Sequence, residues 1–553
     1  MTLTLWAAAV IALLGVLILA HELGHFLVAK LFGVKVLRFS LGFGPRLFGF
    51  TAGATEYRLS LFPLGGYLRI LGEDPSEPVP EHDYERALFA RPLWQRYAIV
   101  IAGPLFNLLL PVGIYFVHYV SQKTLLSPTI GTVISGLPAD KAGLLPGDRV
   151  ETVDGREVHY WEELEEIISD SPGKTMRFGI RRGNAAEERD VTTATNVRKG
   201  PLNLNETVGW IGVSPRFQLP EIGIVDLTSP AAQAGLRTFD YIISVNGSPV
   251  SHWAEFDRAV ARVGASPLRI TYLRGTHSAV PFVHVELQQP GSAVVLPQPV
   301  LDPSGGRHYA TGIEPSELFV YSVEPGSPAD RIGLRRGDQL LELDGQPILH
   351  WNLLRQRLAA EPEKTFRVSW VSPGGVHHQA SFKQELRSEL DAYRQEEQRL
   401  VFGASNRAAW KTADPVSIRH RFFYAWGHAL ARTGEIMTFT AQGFFQIIRG
   451  EMSPKTLGGP LTIGYAAGVA AEQGLAQYLW LMALLSINIG LLNFLPIPIL
   501  DGGLLLFFTI ELFKRRPPSA RARTITTYIG VVVVAVLVLF ALKNDVVRFF
   551  LPR

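Results

Sequence analysis

The sequence predicts a multi-pass α-helical membrane protein of about four spans, with a β-hairpin region at the membrane and α+β soluble domains between the second and third spans. Three observations carry this. Apolar stretches long enough to cross a bilayer lie toward both ends of the 553-residue chain. The middle, from about Leu125 to Asp414, has the mixed charge, glycine and proline content of soluble domains. Within that middle, one 24-residue pattern occurs three times.

The first span occupies 1–32. Leu3 to Ala20 carries no charge and no Lys or Arg precedes Lys30, so it reads as a retained span and not as a cleaved leader, which needs a basic start. Residues 33–92 follow as a β region on the cytoplasmic side, with β-type patterning over Phe39 to Ile70 broken by Gly42, Gly44, Pro45, Gly53, Gly65 and Gly66. The second span is 93–121; His118, its lone ionisable group between Tyr97 and Val120, stands near the end and reads as an interfacial side chain.

The third span is 473–513. Gln473 to Ile510 holds one charged residue, Asp501, and exceeds the roughly 20 residues of a straight crossing, so Pro496 and Pro498 are expected to break it. A fourth span covers 524–543. Five basic residues and no acid in "KRRPPSARAR", Lys514 to Arg523, with nine more between Lys30 and Arg96, put both loops in the cytoplasm. The termini and the soluble middle then lie on the outer side, the periplasm of a cell with two membranes.

Inside the first span stands "HELGH", His21 to His25. A charged side chain at mid-bilayer costs roughly 2.5 to 3.5 kcal/mol, so such a cluster is functional by default. His21 and His25, four apart, share one helix face and can hold one zinc ion, while Glu22 is left free to act on water. A catalytic zinc needs a third ligand; Asp501, the only other acid inside a predicted span, is the candidate. At 1.5 Å per residue, the histidines lie roughly 10 to 18 Å, and Asp501 at most roughly 20 Å, from the cytoplasmic ends of their spans.

"HELGH" in a first span, "GPLFN" in a second and "NFLPIPILDGG" (Asn493 to Gly503) in a third resemble the site-2 protease family of intramembrane zinc metalloproteases, in its bacterial branch with periplasmic PDZ domains. The resemblance extends to "FSLGFGPRLFGF" (Phe39 to Phe50) and "TEYRLSLFPLGGYLRILGE" (Thr55 to Glu73). It implies His21, His25 and Asp501 as zinc ligands, Glu22 as catalytic acid/base, and Asn107, Asn488 and Asn493 as polar groups near the substrate backbone or the zinc. The asparagines also have a physical rationale, because a peptide unwound in lipid exposes amides that need partners. The hairpin region, with Gly65 and Gly66, is expected to offer an edge to which substrate adds as a strand.

In the middle, "PADKAGLLPGDRVETVDGREVHYW" (Pro138 to Trp161), "PAAQAGLRTFDYIISVNGSPVSHW" (Pro230 to Trp253) and "PADRIGLRRGDQLLELDGQPILHW" (Pro328 to Trp351) are offset by 92 and 98 residues. They look like three PDZ-like domains, placed at 125–215, 216–300 and 301–385. The second has Phe239 where the others have Gly147 and Gly337. Residues 386–472 are expected to hold a charged solvated helix, from "QELRSELDAYRQEEQRL" (Gln384 to Leu400), and an amphipathic interfacial helix over Phe422 to Ile448.

Lys+Arg of 53 against Asp+Glu of 50, interspersed, give no nucleic-acid footprint, and the absence of cysteine excludes disulfides and thiolate zinc sites. The reading is therefore a zinc metalloendopeptidase of the bacterial inner membrane that performs regulated intramembrane proteolysis. Its substrates are expected to be single-span proteins already trimmed outside, of anti-sigma factor or remnant signal peptide type. The PDZ repeats would gate access sterically or bind peptide termini. The competing readings are a catalytically silent PDZ membrane scaffold and a metal transporter.

Overall fold

The computed structural model describes residues 3–73, 78–199, 205–277, 286–301, 307–390, 396–407, 410–451, 458–516 and 518–550. They form two compact units: one gathers the chain up to Lys123 and from Ile418 onward, the other most of the stretch between.

In the first unit, the Ala- and Leu-rich opening folds as helix α1, Leu3–Leu31, which ends at Gly33 in the left-handed region (φ 70°) with Val34 N–H on Ala29 O at 2.8 Å. Strands β1, Val36–Ala52, and β2, Thr55–Ile70, pair as an antiparallel hairpin. Its register slips between Phe43, opposite Phe62, and Arg46, opposite Ser60. Phe48, Phe50, Leu47 and Phe62 are all more than half exposed along it.

Helix α2, Leu93–Ser121, keeps Pro104 and Pro111 within it. The helix α3, Arg421–Arg449, is the amphipathic one; α4 is Pro460–Gln473. The apolar run after Gln473 divides at its prolines into α5, Leu475–Asn493, and α6, Asp501–Lys514, joined by a tight turn in which Phe494 and Leu495 N–H reach back to Leu491 and Leu492 O. Last comes α7, Ala520–Phe550. Among the described residues, four helical stretches are long and apolar enough to cross a membrane: Thr4–Leu31, Leu93–Ser121, Leu475–Asn493 and Arg521–Phe550.

The second unit contains three copies of one module, each with its own core. In each, a short helix opening with Pro-Ala leads to a four-stranded antiparallel sheet, whose strands in the first copy are Arg149–Val153, Arg156–Glu157, Thr175–Arg182 and Ala185–Thr192. The Asp/Asn-Gly pairs seen in the sequence are two-residue turns with both residues at positive φ: Asp154-Gly155, Asn246-Gly247 and Asp344-Gly345. The aspartate of each Gly/Phe-Asp pair is buried and accepts a backbone N–H three residues back, Asp148 from Leu145, Asp240 from Arg237, Asp338 from Arg335. Asp148 and Asp240 also take a two-pronged Arg182 or Arg274; Asp338 takes Ser372 Oγ at 2.7 Å.

Each module closes with a hairpin and a returning strand: Val213–Ser214 against Thr132–Val133, Glu314–Pro315 against Ile222–Gly223, Ala404–Ser405 against Ser322–Val323. This corrects two expectations. The boundaries at 300 and 385 cut through the second and third modules, because the returning strands at 314–315 and 404–405 belong to them. The charged helix expected over Gln384 to Leu400 is instead the two strands Glu385–Leu390 and Glu396–Val401. Residues 391–395 of the expected helix lie outside the described residues; Phe402, just after the second strand, is buried in the module's core. The segment entering the unit, Thr124–Leu126, pairs with the one leaving it, Pro415–Ser417, and Arg216–Gln218 pairs with Trp410–Thr412.

Candidate active site

The cluster begins with the close approach of α1 and α2. A Cβ on Gly24 would lie 2.2 Å from Ala102 O, and one on Gly103 would lie 2.2 Å from His25 Nε2, so only glycines let the helices meet where the imidazole is. The tight turn after α5 delivers Asp501 as the first residue of α6. Gly502 permits this, since a Cβ there would meet Leu495 O at 2.0 Å.

The result brings three ligand atoms to a single point. His21 Nε2 is 3.2 Å from His25 Nε2 and 3.2 Å from Asp501 Oδ2, and His25 Nε2 is 3.5 Å from Asp501 Oδ1. Among the described residues His21, His25 and Asp501 form the one group of three or more potential ligands close enough to share an ion. A tetrahedral zinc with bonds of ~2.0–2.1 Å holds its ligands roughly 3.3–3.4 Å apart; the two imidazole nitrogens match this, and Asp501 turns one carboxylate oxygen to each of them, with one ligand atom from each residue within 4.8 Å of the others. Asp501 Oδ2 is buried yet has no hydrogen-bond partner, although His21 is near; an oxygen left so is what a cation would satisfy. The donor set of two imidazoles and a carboxylate therefore fits zinc.

The surroundings orient the imidazoles. His25 Nδ1 lies 2.8 Å from Ile99 O, which fixes the tautomer that leaves Nε2 as the free ligand. His21 Nδ1 faces the Asn107 amide at 3.3 Å and the Asn493 amide at 3.5 Å. Asn107 is fully buried with its Oδ1 unpartnered; turned over, that oxygen accepts from His21 Nδ1–H.

Glu22, outside the ligand trio, lines the same cavity of about 270 Å³ with Tyr67, Leu68, Asn493 and Asp501. Strand β2 forms one wall. A Cβ on Gly65 would collide with the Phe43 ring, and one on Gly66 would lie 2.7 Å from Ile18 Cγ2, so the strand hugs α1 at this level. Asn488 is not brought to the cluster: its Oδ1 accepts from Thr440 on α3 at 3.1 Å, tying α5 to that helix. His118 sits at the end of α2 beside Gln122 and Trp480. The roles of Ile99 O and Gly103 had no sequence signal, because a carbonyl is present in every residue and a glycine's reason lies in what approaches it.

Similarity to known proteins agrees with this geometry. The family model described as Peptidase family M50 matches residues 9–537. A Neisseria meningitidis protein whose name includes the words zinc metalloprotease is 29% identical over 536 residues, covering 96% of this chain and 97% of the relative. The regulator of sigma-E protease RseP of Escherichia coli (strain K12) is 28% identical over 551 residues, 98% of this chain and 99% of the relative, and its counterpart in Salmonella typhimurium (strain 14028s / SGSC 2262) is 26% identical over 549. With a match running through both membrane portions and the modules between, the chain belongs to peptidase family M50, the site-2 proteases, which are zinc-dependent.

Proposed function

We propose that this protein is an endopeptidase that cuts single-span membrane proteins within or near the bilayer, using His21, His25 and Asp501 to hold zinc and Glu22 as acid/base. The observation that carries the reading is one ligand atom from each of His21, His25 and Asp501 within 4.8 Å of the others, with Glu22 in the same cavity. When bound, zinc supplies Lewis acidity to the attacking water and the scissile carbonyl. Glu22 takes the proton that water loses as it attacks and gives it to the departing amide nitrogen, so the C–N bond breaks to a carboxylic acid and an amine. Asn107 and Asn493 hold His21 in its ligating orientation. The wall at Gly65 and Gly66 offers backbone to an unwound substrate strand.

We read the basic loops at 30–96 and 514–523 as cytoplasmic, with both termini and the three modules outside, because loops rich in Lys and Arg favour the cytoplasmic side. We read the modules as PDZ-like gates that exclude substrates still carrying a folded outer domain, with capture of peptide termini as the competing role. Relatives named for regulating sigma-E favour a trimmed anti-sigma factor as substrate over a remnant signal peptide. The test is cleavage of a trimmed and an untrimmed single-span substrate by purified protein in detergent, with and without chelator. Chelator-resistant cleavage would overturn the zinc assignment, and equal rates on both substrates the gating role.

A further inference from the structure

Besides the ligands and Glu22, the cavity has one charged residue in its lining, Glu73. It lies three residues past the end of β2 and is exposed to solvent, although burial of its carboxyl beside the cluster pushes it above the ordinary carboxylate value. Among the described residues no Lys or Arg pairs with its carboxylate. The backbone beneath it is nevertheless pinned: Leu71 N–H donates to Lys35 O at 2.9 Å, and Leu88 N–H to Leu71 O at 2.8 Å. Gly72, at φ 74°, packs so tightly that a Cβ there would lie 2.7 Å from Ala87 Cβ. Leu71, Gly72, Ala87 and Leu88 are all buried, and Glu73 N–H reaches back to Ile70 O at 3.4 Å.

A carboxylate on a pinned backbone, paired with no Lys or Arg among the described residues and lining the same cavity as His21, Glu22, His25 and Asp501, is a filter for charge. Single-span proteins carry Lys and Arg at the cytoplasmic ends of their spans, the side on which the 33–92 segment is placed. We propose that Glu73 determines specificity by pairing with a Lys or Arg of the substrate on the cytoplasmic side of the scissile bond, since it lines the cavity that holds His21, Glu22 and His25. This rests on the proteolytic reading above. A substrate with an acid at that position meets repulsion from Glu73 and enters poorly.

The experiment uses the full-length protein in detergent and a set of single-span peptides identical except for Lys, Gln or Glu at each of the positions flanking the cleavage point on its cytoplasmic side. Wild type should prefer Lys over Glu at one such position by about tenfold in kcat/KM, the sum of a gained pair and an avoided like-charge contact. Glu73→Gln should flatten that ratio, Glu73→Lys invert it, and Glu73→Asp retain its direction. No charge preference at any position, or one that survives Glu73→Gln, would overturn the proposal. Binding of the same peptides to Glu22→Gln protein gives the ratio without turnover. No cleavage of any peptide by wild type would instead sink the proteolytic reading, leaving the binding ratios to decide on Glu73.

Discussion

Gly66 on β2 passes so near α1 that an added Cβ would stand 3.4 Å from Glu22 Cγ and 2.7 Å from Ile18 Cγ2. Gly66→Val must therefore push the strand away from Glu22, because neither Ile18 nor the Ser40 O at 3.0 Å lies on a free chain end. We expect kcat/KM to fall by at least tenfold with zinc content unchanged. Metal analysis alongside rates checks this; a variant that loses zinc as well would show that the strand supports the ligands too.

Glu22→Gln should remove ~10²- to 10⁴-fold of activity while zinc stays bound, since the three ligands survive and a proton carrier is lost. Asp501→Ala should lower zinc occupancy and activity together, leaving two imidazoles for a metal that needs three protein ligands. Stoichiometric zinc in Asp501→Ala protein would move the third ligand elsewhere.

Glu317, buried in the third module with Oε1 on Trp351 N–H at 2.9 Å and Oε2 unpartnered, has its carboxyl pushed up to about 7 by burial. A raised folded-state value means stability present below the unfolded value of 4.5 and lost as pH rises through about 7. The loss is on the order of 3 kcal/mol at one pKa unit per ~1.4 kcal/mol. His350, with Nδ1 3.3 Å from Glu317 Oε1, is lowered from 6.5 by burial and acts oppositely, costing stability as pH falls below that value. Comparing wild type with Glu317→Gln separates them: hydrogen exchange of strands Gln339–Leu343 and Thr365–Ser372 should show wild type losing protection relative to the variant between pH 5 and 8. Parallel pH profiles would contradict the assignment.

Phe239 has φ 74° where Gly147 and Gly337 have 98° and 94°, a conformation that costs a side chain roughly 1–2 kcal/mol. Its ring meets Tyr321 edge-on at 5.2 Å, and Arg336 lies over both rings, so the second and third modules are joined there. Phe239→Ala loses the contacts and keeps the strain; Phe239→Gly loses the contacts and relieves it. Thermal unfolding should therefore rank wild type, then Gly, then Ala, with Gly and Ala about 1 kcal/mol apart. The reverse order of the two variants would show that the backbone relaxes.

What could be read from the chain beforehand depended on how locally the cause is written. "HELGH" carries two ligand types and their helical spacing within five residues, and the structure does place His21, His25 and Asp501 at one point. The Asp-Gly and Asn-Gly turns announce themselves because both residues need positive φ. The strands Glu385–Leu390 and Glu396–Val401 escape a reading of the sequence because charge density says nothing of period, and the core that Phe402 enters is built from partners far away in sequence. Asp545 is the plainest miss. It lies beyond the expected end of the last span, fully buried, and accepts from Gly459 and Leu461 N–H and Thr462 Oγ1 at the start of α4. A helix start more than 80 residues earlier leaves no local trace of its cap.

The side-by-side strands Thr124–Leu126 and Pro415–Ser417, continued by the Ile418 N–H bond to Lys123 O at 3.1 Å, bring together the two ends of the intervening 290-odd residues. In topological terms they are a loop insertion: one inter-strand spacing of ~4.8 Å separates the place where the chain departs from the place where it returns. Repeats can be gained or lost within such an insertion without altering the distance its ends must bridge. A third copy thus lengthens the insertion while the helices on either side keep the same two chain ends.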